Sequence, residues 1–140
     1  MKSVEIERWI GAGPEAVWRL LTDAEVLARS DLGILRIEGA IVPGGRLKLW
    51  SEVSPERAFS LKVMAFEPPS RMVWRGGMPF GLFTGERVFT LAPGEGGTRL
   101  HVREAFTGPL SGPICRTMPD LRPSFAKFGD GIKRLAEAGA

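Results

Sequence analysis

Leu121-Arg122-Pro123-Ser124-Phe125-Ala126-Lys127-Phe128-Gly129-Asp130-Gly131-Ile132-Lys133-Arg134-Leu135 is the stretch that decides how this chain folds. Leu121, Phe125, Phe128, Ile132 and Leu135 recur at spacings of four, three, four and three. At about 100° per residue they fall on one stripe of a helix. Such a stripe has to be buried against another element. Two prolines compete to set the start. A helix opening at Pro119 carries Pro123 inside it and loses a backbone hydrogen bond. Arg122 precedes a proline and so favours extended backbone. The pattern predicts a kink, or a start near Pro123.

Almost everything upstream reads as strand. Ser3 to Ile10 alternates, with Val4, Ile6 and Ile10 against Ser3, Glu5 and Glu7. Gly11-Ala12-Gly13-Pro14 breaks the strand, and Pro14 suits a first helical position. Val17, Leu20, Leu21 and Ala24 then form a short helical stripe that reaches about Ala28. Asp23 can break it and cap a second short helix. From Ile34 the period changes to two. Strands are predicted over Ile34–Val42, Arg46–Val53, Arg57–Phe66, Arg71–Arg75, Leu82–Leu91 and Thr98–Thr107. Their separators are Pro- and Gly-rich, and short hairpin loops make neighbours antiparallel. Gly108 to Asp120 reads as a connection into the last helix. The expected class is α+β, a curved seven-stranded antiparallel sheet wrapped on a long C-terminal helix, with two short helices after the first strand.

The 140 residues fit one domain, 1–140, large enough to bury a core without disulfides or metals. Cys115 is the only cysteine, which fits a reducing compartment. The first residues lack the apolar core of a secretory leader, and no apolar run approaches the ~20 residues of a membrane span. A cytoplasmic protein without integral membrane association, monomeric or homodimeric, is expected. The net charge of +3 is too small to point to nucleic acid. Tyr is absent beside four Trp and eight Phe, an aromatic set suited to apolar burial.

The run Gly13-Pro14-Glu15-Ala16-Val17-Trp18-Arg19-Leu20-Leu21-Thr22-Asp23, then Gly97-Thr98-Arg99-Leu100 and Arg103-Glu104-Ala105-Phe106-Thr107-Gly108-Pro109-Leu110, then the closing helix, resembles the START and polyketide-cyclase-like superfamily. The resemblance covers essentially the whole chain. It implies the helix-grip fold, in which the sheet grips the long helix around an apolar cavity. Lipid carriers, secondary-metabolite binders, aromatase/cyclases and chaperone co-factors share that fold, so it selects no function and carries over no catalytic residue.

Strand parity assigns a concave face. Its candidate ligand contacts are Leu49, Ser51, Phe59, Leu61, Trp74, Arg87, Phe89, Val102 and Glu104, joined from the helix by Phe125 and Phe128. Arg87 and Glu104 are the charged members. They lie on two arms of one hairpin with matching parity, within reach of each other. They read as a structural ion pair at the cavity rim, as a pair with one member rotated to solvent by a bulge, or as polar anchors in an apolar pocket. Trp74, Phe89, Phe125 and Phe128 read more readily as plain core than as ligand contacts. His101 alternates with Arg99 and Arg103 and faces solvent. It has no second ligand at metal spacing and no nucleophile elbow beside it. Gly94-Glu95-Gly96-Gly97 reads as a hairpin turn, not a phosphate loop. No cofactor or metal is expected.

The outer face carries Arg46, Lys48, Lys62, Arg71, Arg75, Arg99 and Arg103, balanced by Glu5, Glu7, Glu52 and Glu86, and reads as a solvated surface. The expected function is carriage or sensing of a small hydrophobic or amphipathic molecule. Gly76–Gly81 and Gly108–Asp120 are candidate gates. Two alternatives stay open. One is a cyclase or dehydratase using Glu104 as acid or base. The other is a protein-interaction module using the outward Trp9 and Trp50.

Overall fold

The computed structural model describes residues 2–139. The elements run β1 (Ser3–Ile10), α1 (Pro14–Leu21), α2 (Ala24–Arg29), β2 (Ile34–Glu38), β3 (Arg46–Ser51), β4 (Ser54–Glu67), β5 (Arg71–Gly77), β6 (Thr84–Gly94), β7 (Gly97–Thr107), α3 (Ser111–Thr117) and α4 (Arg122–Ala138). One seven-stranded sheet is ordered β1-β7-β6-β5-β4-β3-β2, with every neighbouring pair antiparallel. The sheet curls around α4, which lies over β1 and β7. This is the helix-grip arrangement that the resemblance implies, with the helix stripe buried on the sheet as the pattern predicts.

Local chemistry explains the boundaries. Pro14 occupies the first turn of α1, where its missing N–H costs nothing. Asp23 caps α2 by accepting from Val26 N at 3.1 Å, so the expected break falls there. Helix α4 starts at Arg122 with Pro123 in its first turn, and the Asp120 carboxylate accepts from Arg122 N at 3.0 Å. Glu95 and Gly96, with φ of 51° and 77°, join β6 to β7 as the two positive-φ residues of a tight hairpin.

Three expectations shift. Strand β2 ends at Glu38 rather than Val42, because Gly39 takes φ 102° and its Cα passes close against the Arg46 carbonyl. Helix α3 lies inside the expected connection. Its Gly112 and Pro113 fall in the first turn, where no intrahelical N–H bond is lost, and Ile114 N then bonds Leu110 O at 3.1 Å. A bulge between Val63 and Ala65 reverses the parity of β4, so Phe66 turns inward and meets Trp18 edge-on at 5.2 Å.

The core fills the concave side. Val63, Met72, Trp74, Phe89, Leu91, Leu100 and Val102 are buried from the sheet, and Val17, Trp18, Leu21 and Leu27 from the short helices. From α4 come Phe125, Phe128, Ile132 and Ala136, with Leu121 and Leu135 half-buried beside them. Burying a large apolar side chain stabilises by roughly 1.5–3 kcal/mol, so the stripe dominates the docking of α4.

Polar ties concentrate on the C-terminal half of that helix. Arg8 Nε donates to Asp130 Oδ1 at 2.7 Å, and Lys133 Nζ donates to Trp9 O at 2.7 Å. Gly11 N donates to Glu137 Oε2 at 2.9 Å. Gly129 and Gly131 are both buried and let the helix come close. A Cβ on Gly129 would stand 2.8 Å from Ile6 Cδ1, and one on Gly131 would overlap Leu32 Cδ2.

Candidate functional site

One cross-strand row passes through the middle of the concave face: Val63, Trp74, Arg87, Glu104 and Val4, from β4 to β1. The register places Arg87 directly opposite Glu104, on the shared face that parity predicts. Arg87 Nε donates to Glu104 Oε1 at 2.7 Å, and Nη2 lies 2.6 Å from the same oxygen. The two side chains keep 26% and 16% of their exposure. The Arg87 guanidinium also lies over the Phe125 ring, 4.7 Å from its centroid. The pair is therefore largely desolvated, and α4 covers it with an aromatic face.

Beside Arg87 is a pocket of about 60 Å³ between α4 and the β2–β3 side of the sheet. Six of the predicted contacts line it: Leu49, Ser51, Arg87, Val102, Phe125 and Phe128. Sequence reasoning missed Leu32, Gly33, Ile34 and Ser124 as contacts; they come from the start of β2 and the first turn of α4. The usable signal was Asp31-Leu32-Gly33, where Gly33 takes φ 86° and turns the chain back over the pocket. The Ser51 hydroxyl is buried in this wall without a hydrogen-bond partner among the described residues.

The other predicted contacts lie elsewhere. Trp74 and Phe89 are packed core, 4.8 Å apart edge-to-face, and Phe89 in turn meets Phe128 at 6.2 Å. The Trp74 Nε1 is also buried, with no hydrogen-bond partner among the described residues. Glu104 is not in the pocket wall; a Cβ on Gly85 would come within 3.1 Å of its Oε2. Leu61 is half-buried opposite Gly76. Phe59 pairs opposite Leu49, but it is 36% exposed. Strand β5 ends at Gly77, so no strand covers Phe59 on that side, and its ring stacks under Arg57 at 5.4 Å instead.

The rim is charged. Lys127 Nζ lies 2.8 Å from Glu52 Oε1 and 3.0 Å from Asp31 Oδ1, so it ties α4 to both the β3–β4 turn and the approach to β2. Hydrogen bonds to Glu52, then Asp31, hold the Lys127 pKa above the ordinary lysine value. Glu52 was expected to balance the outer arginines, but the tight β3–β4 turn directs it to the helix side. The outer face keeps Arg75–Glu86 at 2.6 Å and Arg99–Glu7 at 2.9 Å. His101 sits there too, 2.7 Å from Glu5. Trp9 is exposed as expected, whereas Trp50 is half-covered by Arg36 at 5.2 Å. Among the described residues no three His, Cys, Asp or Glu side chains converge as a metal site, and no helix is long and apolar enough to cross a membrane.

The fold recurs in solved structures. Protein MLL2253 from Mesorhizobium loti matches with a TM-score of 0.77 at 19% identity, over 99% of each chain. The Aha1 dimer from Colwellia psychrerythraea matches at 0.75 and 21% identity, over 99% of this chain and 98% of that one. A point mutant of norcoclaurine synthase from Thalictrum flavum, bound to a transition-state analogue, matches at 0.75 and 13% identity, over 99% and 95%. At these identities the likeness is one of fold. No curated protein sequence matches the chain. The sequence profile of the polyketide cyclase/dehydrase and lipid-transport family matches residues 1–138, so the chain belongs to that family.

Proposed function

We propose that the protein binds a small hydrophobic or amphipathic molecule between the sheet and α4, as a carrier or sensor. One observation carries this: a charged guanidinium and an unpartnered hydroxyl, Arg87 and Ser51, meet in a wall that is otherwise mostly apolar. A few converging polar groups in an apolar recess are the usual form of a small-molecule site. The pocket of about 60 Å³ is smaller than the ~300 Å³ at which such sites begin. Binding therefore needs α4 to move outward from the start of β2. We place this activity in the cytoplasm, where the free, buried Cys115 stays reduced.

The test is non-denaturing mass spectrometry of protein purified gently from its own host. An added mass released by organic solvent supports carriage. Bare protein that also fails to take up any apolar probe counts against it. The cyclase or dehydratase alternative has less behind it. Glu104 gives one oxygen to Arg87 and has no second titratable partner among the described residues, and it stands outside the pocket wall. A Glu104→Gln variant that loses turnover of a candidate substrate but keeps its binding would restore that alternative.

A further inference from the structure

Resting on the binding reading above, we propose that the ligand is an amphiphile with a single carboxylate head, taken by Arg87 and Ser51. Among the described residues, Arg87 is the one charged side chain in the pocket wall. Its carboxylate partner stands outside that wall. The pocket thus meets the cationic side of the ion pair. Nε and Nη2 both face one oxygen of Glu104, which leaves Nη1 with no hydrogen bond to any described residue. A guanidinium has five N–H donors in a planar fork, and a carboxylate matches that fork with two parallel bonds.

Phe125 holds the fork in place. Its ring lies under the guanidinium at 4.7 Å and also lines the pocket, so the cation cannot swing away without losing that contact. The hydroxyls of Ser51 and Ser124 add two donors to the same wall, and the Ser51 hydroxyl is buried with nothing to bond. Every side-chain polar group presented to the ligand can therefore donate, and no carboxylate is there to receive an amine. A doubly charged phosphate asks for more cations than one arginine already paired with Glu104. The remaining wall, including Ile34, Leu49, Val102 and Phe128, fits an unbranched or aromatic apolar tail.

The experiment compares decanoate, decanol and decylamine below their micellar concentrations, by displacement of an apolar fluorophore. Charge-assisted bonds to an arginine predict decanoate binding about tenfold tighter than decanol, with decylamine weakest. The double variant Arg87→Met/Glu104→Met, which leaves no unpaired charge behind, is expected to bind both acid and alcohol at the alcohol's affinity. Ser51→Ala, a small change at an unpartnered hydroxyl, is expected to weaken decanoate about fivefold and leave decanol within about twofold. Equal affinity for acid and alcohol in the wild type overturns the carboxylate assignment while leaving the binding site standing. Preference for the amine overturns it in favour of Glu104 as the exposed group. Failure of all three to displace a bound fluorophore also overturns it, and if no fluorophore binds at all the cavity itself is refuted.

Discussion

Replacing Arg87 and Glu104 singly and together measures how far the centre of the concave face is removed from water. Arg87→Met keeps an apolar stem against Phe125 but strands the Glu104 carboxylate, whose side chain is only 16% exposed. Breaking a fully buried pair costs about 3–5 kcal/mol. Residual solvent at both members lowers the expectation to about 2–3 kcal/mol for Arg87→Met. Glu104→Met strands the guanidinium, which is 26% exposed and retains the Phe125 face, so about 1–2 kcal/mol is expected. The double variant strands nothing and should fall within about 1 kcal/mol of wild type. The cycle then closes on a coupling of about 3–4 kcal/mol. Urea titration at neutral pH reads all four proteins, provided the slopes stay equal. Raising the salt to about 0.5 M should leave most of the coupling in place, because desolvated charges are poorly screened. Single variants each costing under about 0.5 kcal/mol, and adding without coupling, would refute the desolvation on which the pocket's chemistry depends.

Gly131→Ala should lower stability by about 1 kcal/mol despite better helix propensity, because Leu32 is fully buried and has to yield to the new methyl; a higher urea midpoint would count against close docking there. Phe80 is 99% exposed at φ 59°, so Phe80→Asn gives up no burial and suits the left-handed backbone, and thermal melting should rise by a degree or more. Lys127→Met should speed amide exchange at residues 31–34 and 52–54, the two segments that Lys127 ties to α4. Glu137 is held below its ordinary 4.5 by Lys133, then by the Gly11 N–H. A depressed carboxylate contributes stability above its unfolded value and loses it as pH falls through the folded one. The melting temperatures of wild type and Glu137→Gln should therefore differ at neutral pH and converge as the pH falls through the lowered folded-state value of Glu137. A constant gap would show that the tie carries no linkage.

What was legible in the sequence was whatever a fixed period encodes. The α4 stripe and the alternation of β6 and β7 gave the buried face of Phe125 and Phe128 and the shared face of Arg87 and Glu104, because regular elements keep their period from end to end. Reasoning by parity failed where the backbone departs from regularity. The bulge at Met64 reversed Phe66, and the early end of β5 uncovered Phe59. Helix α3 was hidden because Gly and Pro are read as breakers, though neither costs a bond in a first turn. The pocket contacts Leu32 and Ser124 come from a loop and a helix start, whose meeting depends on how α4 docks and has no local pattern.

The uneven fastening of α4 makes it a lever. From Gly129 onward the helix is pinned to β1 and its neighbour by Asp130, Lys133 and Glu137, and the paired glycines remove the slack. Ahead of Gly129 the polar tie among the described residues is Lys127 across the rim, and the rest of the hold is apolar, from Phe125 and Phe128. At 1.5 Å per residue, Leu121 stands about 12 Å from that fulcrum, so a tilt of about 10° carries it about 2 Å outward. A molecule entering beside Arg87 thus works against one solvent-accessible lysine contact and the packing of Phe125 on the guanidinium. The rigid half keeps the sheet and its hydrophobic interior closed while the free end swings.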